Sequence, residues 1–128
     1  MTQLRQSEAQ IKRAVMDLLK ARGVLCFRMN AGDRYVPYRG RVQKITGHPS
    51  GTADILAFVC GSGMGDPPLR LFPLWIELKC ISAKQSAEQK VFQQMVEAEG
   101  HTYLLIHSAA ELEDWLQKNT MVLSRKIT

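Results

Sequence analysis

Gly51-Thr52-Ala53-Asp54-Ile55-Leu56-Ala57-Phe58-Val59 is the stretch on which the fold turns. Glycine and threonine ahead of an aspartate are turn chemistry, and the continuous apolar run at 55–59 reads as a central strand. The next apolar segment, residues 71–79, closes on Glu77-Leu78-Lys79. Side chains two apart on a strand share a face, so Glu77 and Lys79 point to one side while Leu78 turns to the core. In an antiparallel pair the start of the first strand lies beside the end of the second. Asp54 is therefore expected to meet Glu77 and Lys79 at one end of a sheet.

That trio suits a hard divalent cation. Mg²⁺ takes oxygen ligands, keeps several waters and is typically held by one or two carboxylates. Asp54 and Glu77 meet this minimum, and the backbone carbonyl of Leu78 at the strand end is a candidate third ligand. Without a cation the two carboxylates repel and one pKa should rise. Lys79, a compact charge on a flexible stem, can reach an attacking water or a scissile phosphate oxygen. Each piece alone is weak evidence, because Glu-x-Lys triplets commonly make surface ion pairs. Their order and placement at two strand ends carry the reading.

Working outward, residues about 3–22 are predicted helical, with Leu4, Ile11, Val15, Leu18 and Leu19 at helical spacing and Gly23 as a stop. Ser7 and Gln10 match a capping box, although Leu4 fits the same stripe. Glu8 lies three before Ile11 and seven before Val15, so the periodicity puts a carboxylate on the apolar side, where an unpaired charge is costly. Residues 24–30 form a strand with Leu25, Phe27 and Met29 on one face and Cys26, Arg28 and Asn30 on the other. Arg39-Gly40-Arg41 marks the tip of a small hairpin. A Gly/Pro loop spans 60–69, and Pro73 is expected to limit regular pairing near the start of the following strand. Ser86 precedes a second helix that ends at Gly100. Residues 103–106 are a short strand, and Ser108 with Glu111 caps a last helix. The order α-β-(hairpin)-β-β-α-β-α predicts an α/β fold, one mixed central sheet flanked by helices.

The 128 residues bound this to a single domain spanning 1–128. No apolar run approaches the ~20 residues of a membrane helix, and the N-terminus lacks the apolar core of a signal peptide, so a cytoplasmic, intracellular protein is expected. Cys26, Cys60 and Cys80 show no Cys-x-x-Cys pattern, which argues for buried reduced thiols rather than disulfides or structural zinc. Residues 1–50 hold ten Lys/Arg against three Asp/Glu, a balance of +7 that leaves −2 for the remainder. Such asymmetry suggests one cationic face for a nucleic acid; a solvated basic surface is the plainer reading. Arg34, Arg39, Arg41 and Lys44 around Tyr35 and Tyr38 suit a phosphate-gripping hairpin. His48 lies near the proposed site but reads as an exposed loop histidine, and His101 and His107 as strand-flanking residues without catalytic duty.

Glu8, Gly51-Thr52-Ala53-Asp54, Glu77-Leu78-Lys79 and Ser86-Ala87-Glu88-Gln89 together resemble the PD-(D/E)XK nuclease pattern. In detail they are similar to its virus-type replication-repair nuclease branch (VRR-NUC), which includes small stand-alone phage proteins. The likeness spans roughly residues 5–118. It implies a restriction-endonuclease-like core and a Mg²⁺-dependent (or Mn²⁺-dependent) DNA endonuclease, structure-specific on branched DNA such as Holliday junctions. It further implies a homodimer in a bacterial or phage-infected cell, with no small-molecule cofactor. By that resemblance Asp54, Glu77 and the Leu78 carbonyl hold metal, Lys79 assists the attacking water, and Glu8 completes the outer shell. Gln89 orients Lys79 or water, and Arg28 and Asn30 support the DNA. Ala53 replaces the usual proline before the motif aspartate, a change of backbone shape rather than of ligand. The competing expectations are a non-catalytic nucleic-acid-binding or assembly subunit with a nuclease fold, and a restriction-like nuclease acting on duplex DNA.

Overall fold

The computed structural model describes residues 6–29, 33–62 and 69–120. The chain runs α1 (Glu8–Ala21), β1 (Leu25–Arg28), β2 (Asp33–Tyr38), β3 (Arg41–Thr46), β4 (Ile55–Ser62), β5 (Leu69–Leu78), α2 (Ala87–Ala98), β6 (Thr102–Ile106) and α3 (Ala109–Asn119). This is the expected α/β order. Helix α1 starts where its cap sets it: Ser7 Oγ accepts the Gln10 N–H at 3.2 Å and Gln10 Oε1 accepts the Ser7 N–H at 2.8 Å. The reciprocal box satisfies two end groups at once, so the helix begins later than the apolar stripe alone suggests. Leu4 lies outside the described residues.

The mixed sheet has the order β1-β4-β5-β6, with antiparallel β1/β4 and β4/β5 and parallel β5/β6. Helix α2 is the crossover that a parallel pair requires. One face carries Ile55, Ala57 and Val59 of β4 beside Leu74, Ile76 and Leu78 of β5, under Ile11, Val15 and Leu19 of α1 and Leu112 and Leu116 of α3. The opposite face carries a smaller cluster of Ala53, Val96 and Tyr103 with Trp75 and Phe92, roofed by α2. Alternation along β1 supplies two faces without saying which is covered. Cys26 packs on the core while Leu25 and Phe27 stand 59% and 48% exposed.

Pro73 does not interrupt the β4/β5 ladder, where it sits opposite Phe58. The parallel neighbour β6 joins β5 only from Leu74, one residue past the proline, so the missing N–H falls beyond that ladder's beginning. Strands β2 and β3 pair as a separate hairpin whose last pair is Tyr38 with Arg41. Arg39 (φ 49°) and Gly40 (φ 73°) form its tip. Two left-handed central residues are the type I′ geometry that matches strand twist. All three cysteines are free; Cys60 is buried and Cys26 and Cys80 are half-buried. No helix among the described residues is long and apolar enough to cross a membrane.

Candidate active site

Register brings the acidic pair together. Ile55 pairs with Ile76 on the core face, so Glu77, the next residue of β5, turns to the α2 side, while Asp54, just before β4, lies beside the end of β5. Asp54 is held from three elements. Its carbonyl accepts the Met29 N–H at 2.8 Å, its Oδ2 accepts the Leu78 N–H at 2.8 Å, and its Oδ1 lies 3.6 Å from Lys12 Nζ.

Glu77 is only 2% exposed. Its Oε1 accepts a 2.7 Å hydrogen bond from Gln89 Nε2, and its buried Oε2 has no hydrogen-bond partner among the described residues. Burial first, and the Asp54 charge second, push the Glu77 pKa up to about 8, against the pull of the Lys79 ammonium. Two carboxylates at one low-dielectric point cannot both ionise cheaply; either a proton or a cation must sit with them.

The other positions are set by their local chemistry. Lys79 follows β5 directly, donating its N–H to Ile106 O at 3.1 Å, while its carbonyl lies 2.9 Å from His107 Nδ1. A carbonyl only accepts, so Nδ1 carries the proton, and His107 clamps the backbone of Lys79. Gln89 is the third residue of α2 and also accepts the Ser86 N–H on its Oε1 at 2.8 Å. One amide thus caps a helix and anchors a carboxylate. Gly51 (φ 92°) closes the arrangement: a Cβ there would lie 2.5 Å from the Glu88 carbonyl oxygen. Ser50 Oγ adds a 3.0 Å bond to Glu88 Oε2. The turn before Asp54 is therefore locked to the end of α2 that bears Gln89.

Glu8 corrects the periodicity argument. It is exposed at the first residue of α1 rather than turned into the core, yet its charge contributes to the raised Glu77 pKa. Asn30 lies outside the described residues. Arg28 is exposed at the end of edge strand β1, paired with Ile55 next to Asp54. The hairpin is inserted between β1 and β4, so it leaves the sheet from the Asp54 end. Arg39, Arg41 and Lys44 are exposed there, Arg39 stacking on the Tyr38 ring at 5.3 Å, and Arg34 sits in β2 opposite Ile45. His48 is exposed, and His101 Nδ1 accepts the Trp75 indole N–H at 3.1 Å.

Two contributors escape a sequence reading, Lys12 and His107. Lys12 has a signal in hindsight, since it stands one turn after Glu8 on the flank of α1 that meets Asp54. Among the described residues no group of three or more His, Cys, Asp or Glu converges. The donor set is two carboxylates with a strand-end carbonyl nearby, which fits a well-hydrated hard cation better than zinc. The buried oxygen without a donor fits the same group. No protein-family model matches the chain, and no curated protein or solved structure matches it.

Proposed function

We propose that the chain is a divalent-metal-dependent DNA endonuclease with a PD-(D/E)XK core of the VRR-NUC kind, acting on branched DNA such as Holliday junctions as a homodimer. The observation that carries this reading is the Glu77 carboxylate, buried beside Asp54 with an oxygen that no protein donor meets. A proton shared with Asp54 or a bound cation can meet that oxygen, and the convergence of both carboxylates with the Lys79 charge supports the cation. Asp54, Glu77 and the Leu78 carbonyl would hold Mg²⁺ or Mn²⁺, which supplies Lewis-acid polarisation and charge neutralisation at the phosphodiester.

The remaining work falls to the chain. Lys79, held through its backbone by Ile106 and His107, sets its ammonium beside the acidic pair to meet negative charge developing on the phosphoryl oxygens. Gln89 fixes the Glu77 rotamer through Oε1, which leaves Oε2 as the free donor atom. Arg28 and the hairpin cations Arg34, Arg39, Arg41 and Lys44 hold the backbone of the substrate. Hydrolysis adds a water oxygen to phosphorus and breaks the bridging P–O bond, whose oxygen leaves with a proton.

The test is cleavage of plasmid and four-way-junction DNA with Mg²⁺ or Mn²⁺. Glu77→Ala and Lys79→Ala should each lower the rate by about 10²-fold or more. Products that persist in both variants would falsify the site. DNA binding without cleavage by the wild-type protein, under any divalent cation, favours a binding subunit instead.

A further inference from the structure

Helix α1 has a flank on which Met16 leans on the core while the charged side chains serve neither the core nor the acidic pair. Ile11, Val15 and Leu19 are buried against the sheet. Arg22 pairs with Glu113 of α3 on one side, and Lys12 approaches Asp54 on another. Ala9, Arg13, Met16, Asp17 and Lys20 recur at helical spacing on the remaining flank, and with Arg28 of β1 they line a groove of about 440 Å³. Arg13, Lys20 and Arg28 are all exposed and form no salt bridge among the described residues. Three cations against one acid, Asp17, beside the small apolar surface of Ala9 and Met16, suit a polyanion.

We infer that this groove is a phosphate track that leads a DNA strand along α1 to the carboxylate pair, with Arg13, Lys20 and Arg28 gripping successive backbone phosphates. This rests on the nuclease reading and adds the direction from which the substrate arrives. Arg13 and Lys20 are separated by two helical turns, about 10 Å, further than one phosphate group reaches and comparable to three base-pair rises. A chain of phosphates spans that distance; a free anion does not. At the groove's far end Arg28 pairs with Ile55, the residue after Asp54, so a strand held by it runs into the site.

The experiment measures binding of a fluorescent 20-base-pair duplex in EDTA, where cleavage is blocked, as a function of salt. Arg13→Ala/Lys20→Ala should weaken binding about tenfold or more at low salt and reduce the log K against log[salt] slope by about two. Asp17→Asn should tighten it, and Lys118→Ala on α3 should change neither. Alanine is favoured in a helix, and Arg13→Gln/Lys20→Gln with native circular dichroism repeats the test at matched bulk. An unchanged slope in both double variants, with wild-type binding and cleavage intact, overturns the track and leaves the nuclease reading standing. Wild-type protein that neither binds the duplex nor cleaves any DNA overturns both.

Discussion

Gln89 and Glu77, on α2 and β5, are joined by a 2.7 Å hydrogen bond from Nε2 to Oε1, while the other end of the same amide accepts the Ser86 N–H. Helix capping and carboxylate placement are therefore one event. Gln89→Ala should cost about 1–2 kcal/mol of stability and lower cleavage at least tenfold. Gln89→Glu keeps an acceptor for Ser86 but sets a second acceptor against Glu77. It should be no better than alanine in urea stability, because a like charge meets buried Glu77, and as poor in cleavage. Equal activity of Gln89→Glu and wild type would remove the amide from the site.

Gly51 is the steric counterpart of that bond. Its φ of 92° and the 2.5 Å approach of a would-be Cβ to the Glu88 carbonyl leave no room for a side chain. Gly51→Ala should destabilise the protein by roughly 2–4 kcal/mol, combining overpacking with left-handed strain. Equilibrium urea unfolding measures it, and a change under 0.5 kcal/mol would mean that the turn moves freely away from α2.

The raised Glu77 pKa has a definite sign for stability. Below the ordinary value of 4.5 the carboxyl is protonated whether folded or not, and its burial carries no ionisation penalty. Between 4.5 and about 8 the unfolded chain releases a proton that the folded chain keeps, so stability falls as pH rises through that window. The total is on the order of a few kcal/mol. Metal-free protein should therefore melt at progressively lower temperature as pH rises from 4.5 to about 8, and Glu77→Gln should flatten that trend. A slope identical in the variant assigns the effect to other groups.

Arg39 occupies a left-handed position, φ 49°, that asparagine or glycine adopts more readily. Arg39→Asn should leave the hairpin as stable or more so, by tenths of a kcal/mol, judged from amide exchange in β2 and β3. It should also lower the salt slope of DNA binding by about one. An unaltered slope would make the arginine a surface residue only.

Much of this was legible in the sequence, for reasons that residues make plain. Two-residue alternation fixed which side of β5 Glu77 takes, and strand polarity fixed that Asp54 meets it. Glu8 shows the limit of periodicity. Spacing gives the azimuth of a residue about its helix but not whether the sheet extends beneath it, and at the first residue of α1 the side chain stays exposed. Pro73 shows another limit, since its effect depends on which neighbour pairs at that height. Lys12 and His107 depend wholly on tertiary placement, one on how α1 crosses β4, the other on β6 ending beside Lys79. The Gln89 pivot was half visible: the resemblance put Gln89 at the site to orient Lys79 or water, whereas the fold delivers its amide to Glu77.

Calorimetric titration of the DNA-free protein with Mn²⁺, repeated in buffers of different ionisation enthalpy, goes to the centre of the account. The acidic pair should bind the ion and, below pH about 8, release the proton that Glu77 retains, making the observed heat buffer-dependent. Asp54→Asn and Glu77→Gln should each abolish uptake. No binding by the wild-type protein, or undiminished binding in both variants, would contradict it.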